Sequence, residues 1–221
     1  MRSYLKGILA LVLLGAPLLT LHAQLVSEHL IKAFLRMDIL TEQSQLVIAS
    51  SLRDSTLLLP LDLGEGIRLT RANETRLTIE TSEVGRSDLQ LLQRKDGSYI
   101  VGLIEIIRGE GLTTDSRLSF YSTDGEKLSY PSISTPSRAE FLSGLDIPKT
   151  SAGYRFLELL TPLPLALSWH NEGTNLYAEL LPPLRDEDET DKALESLLQR
   201  LPRFVSHWNS STFTPFTPTK E

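Results

Sequence analysis

Asp88-Leu89-Gln90-Leu91-Leu92-Gln93-Arg94, then Lys95-Asp96-Gly97-Ser98, then Tyr99-Ile100-Val101-Gly102-Leu103-Ile104-Glu105-Ile106-Ile107-Arg108 decides the fold of this chain. Two apolar runs flank an Asp-Gly pair, the strongest short-range sign of a β-hairpin. Gly97 and Asp96 tolerate positive φ, which predicts a type I′ turn. So short a link leaves no room for a crossover helix, so the strands are antiparallel.

The same chemistry recurs outward. Arg117 to Tyr121, Thr123-Asp124-Gly125-Glu126 and Lys127 to Tyr130 predict a second hairpin. Leu165 to His170, Asn171-Glu172-Gly173-Thr174 and Leu176 to Leu181 predict a third, closed by Pro182-Pro183. Upstream, 68–71 and 75–81 alternate polar and apolar residues as half-buried strands do, and Thr56 to Leu61 reads as a short strand. Residues 26–37 predict a helix with Ser27 as N-cap and Leu30, Ile31, Phe34 and Leu35 on one face. A second helix is expected over 42–53, with Thr41 as cap and Leu46, Val47, Ile48 and Leu52 as its apolar stripe.

Residues 138–143 and 151–160 suit either a helix or a strand, with Phe156, Leu157, Leu159 and Leu160 available to face inward. Asp186-Glu187-Asp188-Glu189 leads into a helix carrying Leu194, Leu197, Leu198 and Leu201, which Pro202 ends or kinks. Phe204, Val205 and Trp208 then extend its apolar face. The expectation is an α+β fold, an antiparallel meander of hairpins packed with N-terminal and C-terminal helices. It places one domain over 24–208, with a possible subdivision at the Pro/Ser-rich loop 131–138, and a flexible tail over 209–221.

The first 23 residues predict the compartment. Arg2 and Lys6 precede an apolar run from Ile8 to Leu21, and Ala23-Gln24 offers a small residue at a cut, the order of a secretory signal peptide. The run is short of the roughly 20 residues that a spanning helix needs, which sets cleavage near Ala23 above the alternative of an uncleaved anchor. Cleavage leaves 198 residues with 20 basic and 28 acidic side chains, a net charge of −8. An acidic chain is a poor partner for nucleic acid or anionic lipid. With no cysteine, thiolate catalysis, thiolate metal sites and a disulfide framework are excluded.

No catalytic, cofactor-binding or metal-ligating set stands out. His29, His170 and His207 are isolated, without ligand spacing. His170, at a strand end, is an ordinary half-buried histidine or a base that meets a distant serine and acid in space. Gly64-Glu65-Gly66 and Gly109-Glu110-Gly111 carry an acid that would repel phosphate and so read as turns. The acidic run from Asp186 fails the calcium-loop pattern, since Asp191 stands where glycine is required and Leu197 where a carboxylate is. Glu105, within an apolar strand beside Val101 and Leu103, is either partly buried or a rim charge. Asp54-Ser55-Thr56 resembles a short O-glycan acceptor, and Asn73-Glu74-Thr75 and Asn209-Ser210-Ser211 match N-glycan acceptors that matter only in a eukaryotic host.

Three places carry a resemblance that spans most of the mature chain. They are the first helix ending Leu35-Arg36-Met37-Asp38-Ile39-Leu40, the strand and turn Asp115 to Gly125, and the ending from Leu176 through the acidic helix to Trp208. In these the chain resembles a family of uncharacterised exported proteins of Bacteroidales, a domain of unknown function. The resemblance implies export, a Gram-negative envelope setting and an α+β fold, and it brings no catalytic residues. Two function classes follow. One is a non-catalytic envelope protein that binds a protein or a glycan, with Tyr99, Tyr121, Tyr130, Trp169, Tyr177 and Trp208 as candidate contacts. The other is a metal-free hydrolase acting on an envelope or extracellular polymer, which a cleft gathering His170 with an acid and a hydroxyl would favour.

Overall fold

The computed structural model describes residues 26–54, 56–108, 114–130, 133–143, 148–170, 173–181 and 200–219. The predicted leader, the Gly109-Glu110-Gly111 turn and the acidic helix with its calcium-like run lie outside them.

Seven antiparallel strands form a meander in chain order: β1 (Leu61–Gly64), β2 (Ile67–Asn73), β3 (Arg76–Glu80), β4 (Gly85–Gln93), β5 (Tyr99–Ile107), β6 (Asp115–Ser122) and β7 (Lys127–Leu128). The Asp96-Gly97 hairpin of β4 and β5 is its centre, in register from Gly85↔Ile107 to Gln93↔Tyr99. The Asp124-Gly125 hairpin joins the same sheet. The α+β antiparallel reading holds.

Helices α1 (Glu28–Phe34) and α2 (Glu42–Leu52) cover one face of this sheet. A second antiparallel sheet lies on the other, made of β8 (Leu165–Trp169), β9 (Leu176–Leu180), β10 (Phe204–Ser206) and β11 (Thr217–Pro218) in the order β11-β10-β9-β8. Val101 and Leu103 point to the helices, whereas Ile100 and Ile104 point to the second sheet with Leu167, Trp169 and Phe204. Burial on both faces explains why β5 reads as a continuous apolar run rather than as an alternation. Two further helices follow the meander, α3 (Arg138–Ser143) and α4 (Ala152–Leu159). No helix among the described residues is long and apolar enough to cross a membrane.

Ser27 and Thr41 cap α1 and α2, accepting from the amides of His29 and Ser44. The stripe of α2 differs from expectation. Leu46 and Val47 are exposed, and Gln45, Ile48, Ala49 and Leu52 form the buried face, the i, i+3, i+4, i+7 set. Gln45 belongs there because its Nε2 donates to the carbonyls of Phe34 and Met37, at 2.6 and 2.5 Å, where α1 ends. The expected strand at 56–61 is a correction: 56–60 is turn and coil, and β1 begins only at Leu61. The two ambiguous segments are the helices α3 and α4. In the second, Leu157 is buried while Phe156 and Leu159 are exposed.

The turns separate by geometry. Gly97 and Gly125 have positive φ, but Asp96 and Asp124 do not, and Gly97 N and Gly125 N donate to the carbonyls three residues back. These are three-residue loops with glycine in the left-handed bulge position, not the expected type I′ turn. The type I′ requirement of two successive positive φ angles is met instead at Glu65-Gly66, between β1 and β2.

The C-terminal stretch is the largest departure. Phe204 and Val205 lie in a strand, where they were expected on a helix face. Residues 209–219, expected as a flexible tail, return along them. Trp208 bridges Phe213, and Phe204 and Val205 pair with Pro218 and Thr217. Phe213 is buried against Phe120 and Trp169, which holds the stretch in place.

Arg76 and Asp88 tie the sheets together. Asp88 is fully buried and Arg76 is 5% exposed. Arg76 Nε and Nη2 donate to the two Asp88 oxygens at 2.8 and 2.5 Å, and Thr78 Oγ1 donates to Asp88 Oδ1 at 2.9 Å. Arg76 Nη1 reaches across to the carbonyls of Trp169 and His170, at 3.2 and 2.9 Å. In return, Trp169 Nε1 donates to the Asp88 carbonyl at 3.1 Å. Asp88→Asn should therefore cost about 3–5 kcal/mol in urea unfolding, because it leaves the guanidinium buried without its counter-charge. The double variant Arg76→Met/Asp88→Leu should lose less than the two single losses combined.

Gly102 lies under the Trp169 ring. A Cβ there would stand 2.7 Å from Trp169 Cζ2 and 2.8 Å from Cη2. Gly102→Ala should destabilise by about 1–3 kcal/mol and shift the tryptophan fluorescence of the folded protein.

At the other end of the meander, a hydrogen bond from Lys32 holds the Asp124 carboxyl below its ordinary range, with the charges of Lys32 and Arg36 adding to it. A depressed carboxyl stabilises the fold above its unfolded pKa, and that contribution disappears as pH falls through the folded value. The stability difference between wild type and Asp124→Asn should be small, constant above about pH 4, and vanish on further acidification.

Candidate functional site

The second sheet covers only the apolar half of the face on which it lies. In β3, alternation puts Leu77 and Ile79 toward the helices and Arg76, Thr78 and Glu80 on the opposite face. Register sets these three beside Gln90, Asp88 and Arg86 of β4. The β2–β4 half of the face is thus polar, and the β5–β6 half carries Ile100, Ile104 and Phe120. Strand β8 buries Leu167 and Trp169 over the apolar half and turns Ser168 outward. The step between the polar half and the edge of the second sheet is a cleft of about 440 Å³.

Four arginines line it, Arg71, Arg76, Arg86 and Arg203, with Glu179 as the one carboxylate. Thr70, Thr78, Ser168, His170 and Tyr177 add hydrogen-bonding groups. Tyr177 sits opposite Ser168 in the β8–β9 ladder, and its ring lies against the His170 imidazole with centroids 5.4 Å apart. Glu179 accepts from Arg203 Nε at 3.2 Å. Arg86 Nη2 approaches Asp88 Oδ2 at 3.4 Å, while its Nε is shielded from solvent and has no hydrogen-bond partner. Through Arg86, Ser168 and Glu179 the cleft continues into a second groove of about 660 Å³. There Arg68 and Arg108 face Asp62, Glu65, Glu80 and Glu83.

Of the described histidines, His170 alone lines this cleft. His29 stacks on Tyr99, and His207 Nδ1 lies 3.0 Å from Asn175 Oδ1. Among the described residues no three His, Asp or Glu side chains converge as a metal-ligand group. Glu105 is an exposed rim charge between Ser87 and Arg117, beyond the cover of the helices. Burial pushes the nearby Tyr121 hydroxyl up, and Glu105 adds to that. The buried carboxylate of the sheet is Asp88, which sequence reasoning passed over as the start of a strand. Its place just before the apolar run Leu89 to Leu92 was the available signal.

The candidate aromatics divide. Trp169 is core, Trp208 Nε1 donates to the Gln93 carbonyl and Tyr130 donates to that of Ser211. Tyr177 presents its side chain to the cleft. The arginines carry no local sequence signal: Arg71, Arg76 and Arg86 meet through the register of β2, β3 and β4, and Arg203, just before β10, joins them only through stacking of the second sheet.

A family model described as "Protein of unknown function (DUF3256)" matches residues 59–213, a span that includes every residue of the cleft. Among solved structures, the chain is similar to a domain of an uncharacterized protein from Porphyromonas gingivalis W83. The TM-score is 0.63 at 20% identity, over 89% of this chain and 100% of that one, a likeness of fold. No curated protein matches the chain. By the family match, which takes in most of both sheets, the chain belongs to the DUF3256 family of proteins of unknown function.

Proposed function

We propose that this protein is an exported cell-envelope protein that binds a partner without turning it over, and that the arginine-lined cleft is its binding surface. The signal-like leader supports export. The observation that carries the binding reading is the gathering of four guanidinium groups against two carboxylates, the lining Glu179 and the buried Asp88, which leaves a positive cleft in a chain whose formal net charge is −6. Such local charge inversion serves recognition and steering of a ligand of opposite sign.

One observation favours the hydrolase alternative, since the cleft gathers His170, Glu179 and Ser168 in a single lining. A hydrolytic relay needs the acid to orient the imidazole and the imidazole to reach the hydroxyl. Here the acid is engaged by Arg203 and the imidazole ring lies on Tyr177. Binding is therefore the better reading.

The test is crosslinking in intact cells of the native host, followed by purification of the tagged protein and mass spectrometry. A recurrent envelope component should appear with wild type and fall away with Ser168→Phe, which obstructs the cleft from a strand position that accepts an aromatic side chain. An uncrosslinked monomer that turns over an envelope polymer, and loses that activity in His170→Ala, would replace binding with hydrolysis.

A further inference from the structure

We infer that the cleft recognises an acidic oligosaccharide, with an oxyanion-bearing sugar seated among the arginines and hydroxyl-bearing sugars continuing into the neighbouring groove. This inference rests on the cleft being the binding surface.

Three features carry it. First, Arg86 has an unused edge. Its Nε donates to nothing and its Nη2 makes only a long contact to Asp88, which Arg76 and Thr78 already engage. The Nε–Nη2 edge of a guanidinium matches the two oxygens of a carboxylate or sulfate. With its side chain 41% exposed, Arg86 can re-aim that edge toward a ligand at little cost in packing. The gain is a hydrogen bond for a donor that has no protein partner.

Second, the lining suits hydroxyl-rich ligands rather than apolar side chains. The residue with the largest apolar side chain, Trp169, is 3% exposed and turned into the core. What remains are hydroxyls, guanidiniums, the Glu179 carboxylate held by Arg203, and the paired rings of Tyr177 and His170. A flat ring beside hydrogen-bonding groups takes the C–H face of a sugar while the others take its hydroxyls.

Third, the site is extended and changes sign along its length. Beyond Arg86 the groove carries the carboxylates Asp62, Glu65, Glu80 and Glu83 against the guanidiniums Arg108 and Arg68, the latter paired with Asp62 and Glu80, so its balance is negative. Carboxylates accept from neutral hydroxyls and repel further anions. The arrangement therefore fits a chain with one acidic sugar in the cleft and neutral sugars beyond it, rather than a uniform polyanion.

Calorimetric titration of the protein purified from its native host tests this. The probes are an oligosaccharide of neutral hexoses ending in one uronic acid, its neutral counterpart and an acidic peptide of equal charge. The uronic oligosaccharide should bind most tightly, and more weakly as salt rises. Arg86→Gln should weaken it by about tenfold or more, and Arg86→Lys should also weaken it because the charge remains but the two-donor edge is lost. Lys95→Gln, a charge removed from the exposed Asp96-Gly97 turn, should bind as wild type does. If Arg86→Gln fails to fold, Arg86→Lys carries the comparison.

Equal affinity for the peptide or the neutral sugar would overturn the assignment, as would unchanged affinity in both Arg86 variants. If none of the probes binds while Ser168→Phe still abolishes partner capture in cells, this inference falls and the binding reading survives. If Ser168→Phe also leaves capture unaffected, both fall.

Discussion

The buried ion pair between Arg76 and Asp88 is the constraint on which the arrangement of the two sheets depends. A guanidinium and a carboxylate this deeply buried cost several kcal/mol each in lost hydration. They are tolerated because their hydrogen-bonding positions are filled. Asp88 takes both prongs of Arg76 and the Thr78 hydroxyl, and Arg76 has a remaining nitrogen for the Trp169 and His170 carbonyls. Those carbonyls belong to the end of β8. The pair therefore satisfies strand-end acceptors in the second sheet while being held by the first. Trp169 Nε1 closes the loop by donating to the Asp88 backbone. Apolar packing alone would permit the sheets to slide, whereas these directional bonds specify one placement.

That placement creates the cleft. The second sheet ends where the apolar half of the face ends, and its final residues turn at the ion pair. Trp169 sits over Gly102, the one residue of β5 that leaves room for its ring. From there His170, Tyr177 and Glu179 form a wall and the β2–β4 strands a floor. Structural and candidate binding arginines thus share one location. Arg76 is committed to holding the sheets, and Arg86, two residues from Asp88 in β4, has an Nε without a protein partner. A ligand on Arg86 would lie beside the contact that fixes the sheets, so occupancy and stability of the stacking are expected to be coupled.

Sequence alone determined the local structure wherever the determinants are local. Ser27 and Thr41 cap helices because a hydroxyl next to a free amide is a short-range interaction. Asp96-Gly97 and Asp124-Gly125 turn the chain because glycine tolerates positive φ wherever it stands, although the distinction between a type I′ turn and a bulged three-residue loop lies in strand register. The continuous apolar run of β5 already required that something cover both its faces. Absence of cysteine decided that packing and polar contacts, not crosslinks, hold the protein together.

Tertiary structure decided the rest, for reasons visible at particular residues. Phe204 and Val205 are as apolar as a helix face would need, but β9 offers an open edge and unpaired backbone groups, so they pair as a strand, and Trp208 beyond them bridges Phe213. The stretch 209–219 has the composition of a frayed end, yet Phe213 within it is buried with its ring against Phe120 and Trp169. Glu105 and Asp88 occupy similar apolar strands, yet one is exposed and the other fully buried. An arginine stands on the next strand in both cases, Arg76 for Asp88 and Arg117 for Glu105, and what separates them is cover, since the second sheet packs over Asp88 and nothing among the described residues buries Glu105. The cleft was legible only in His170, Trp169 and Tyr177. Arg71, Arg76 and Arg86 lie on the neighbouring strands β2, β3 and β4 and meet through sheet register, whereas Arg203, His170, Tyr177 and Glu179 reach them only when the second sheet stacks on the first, a long-range event that leaves no local pattern.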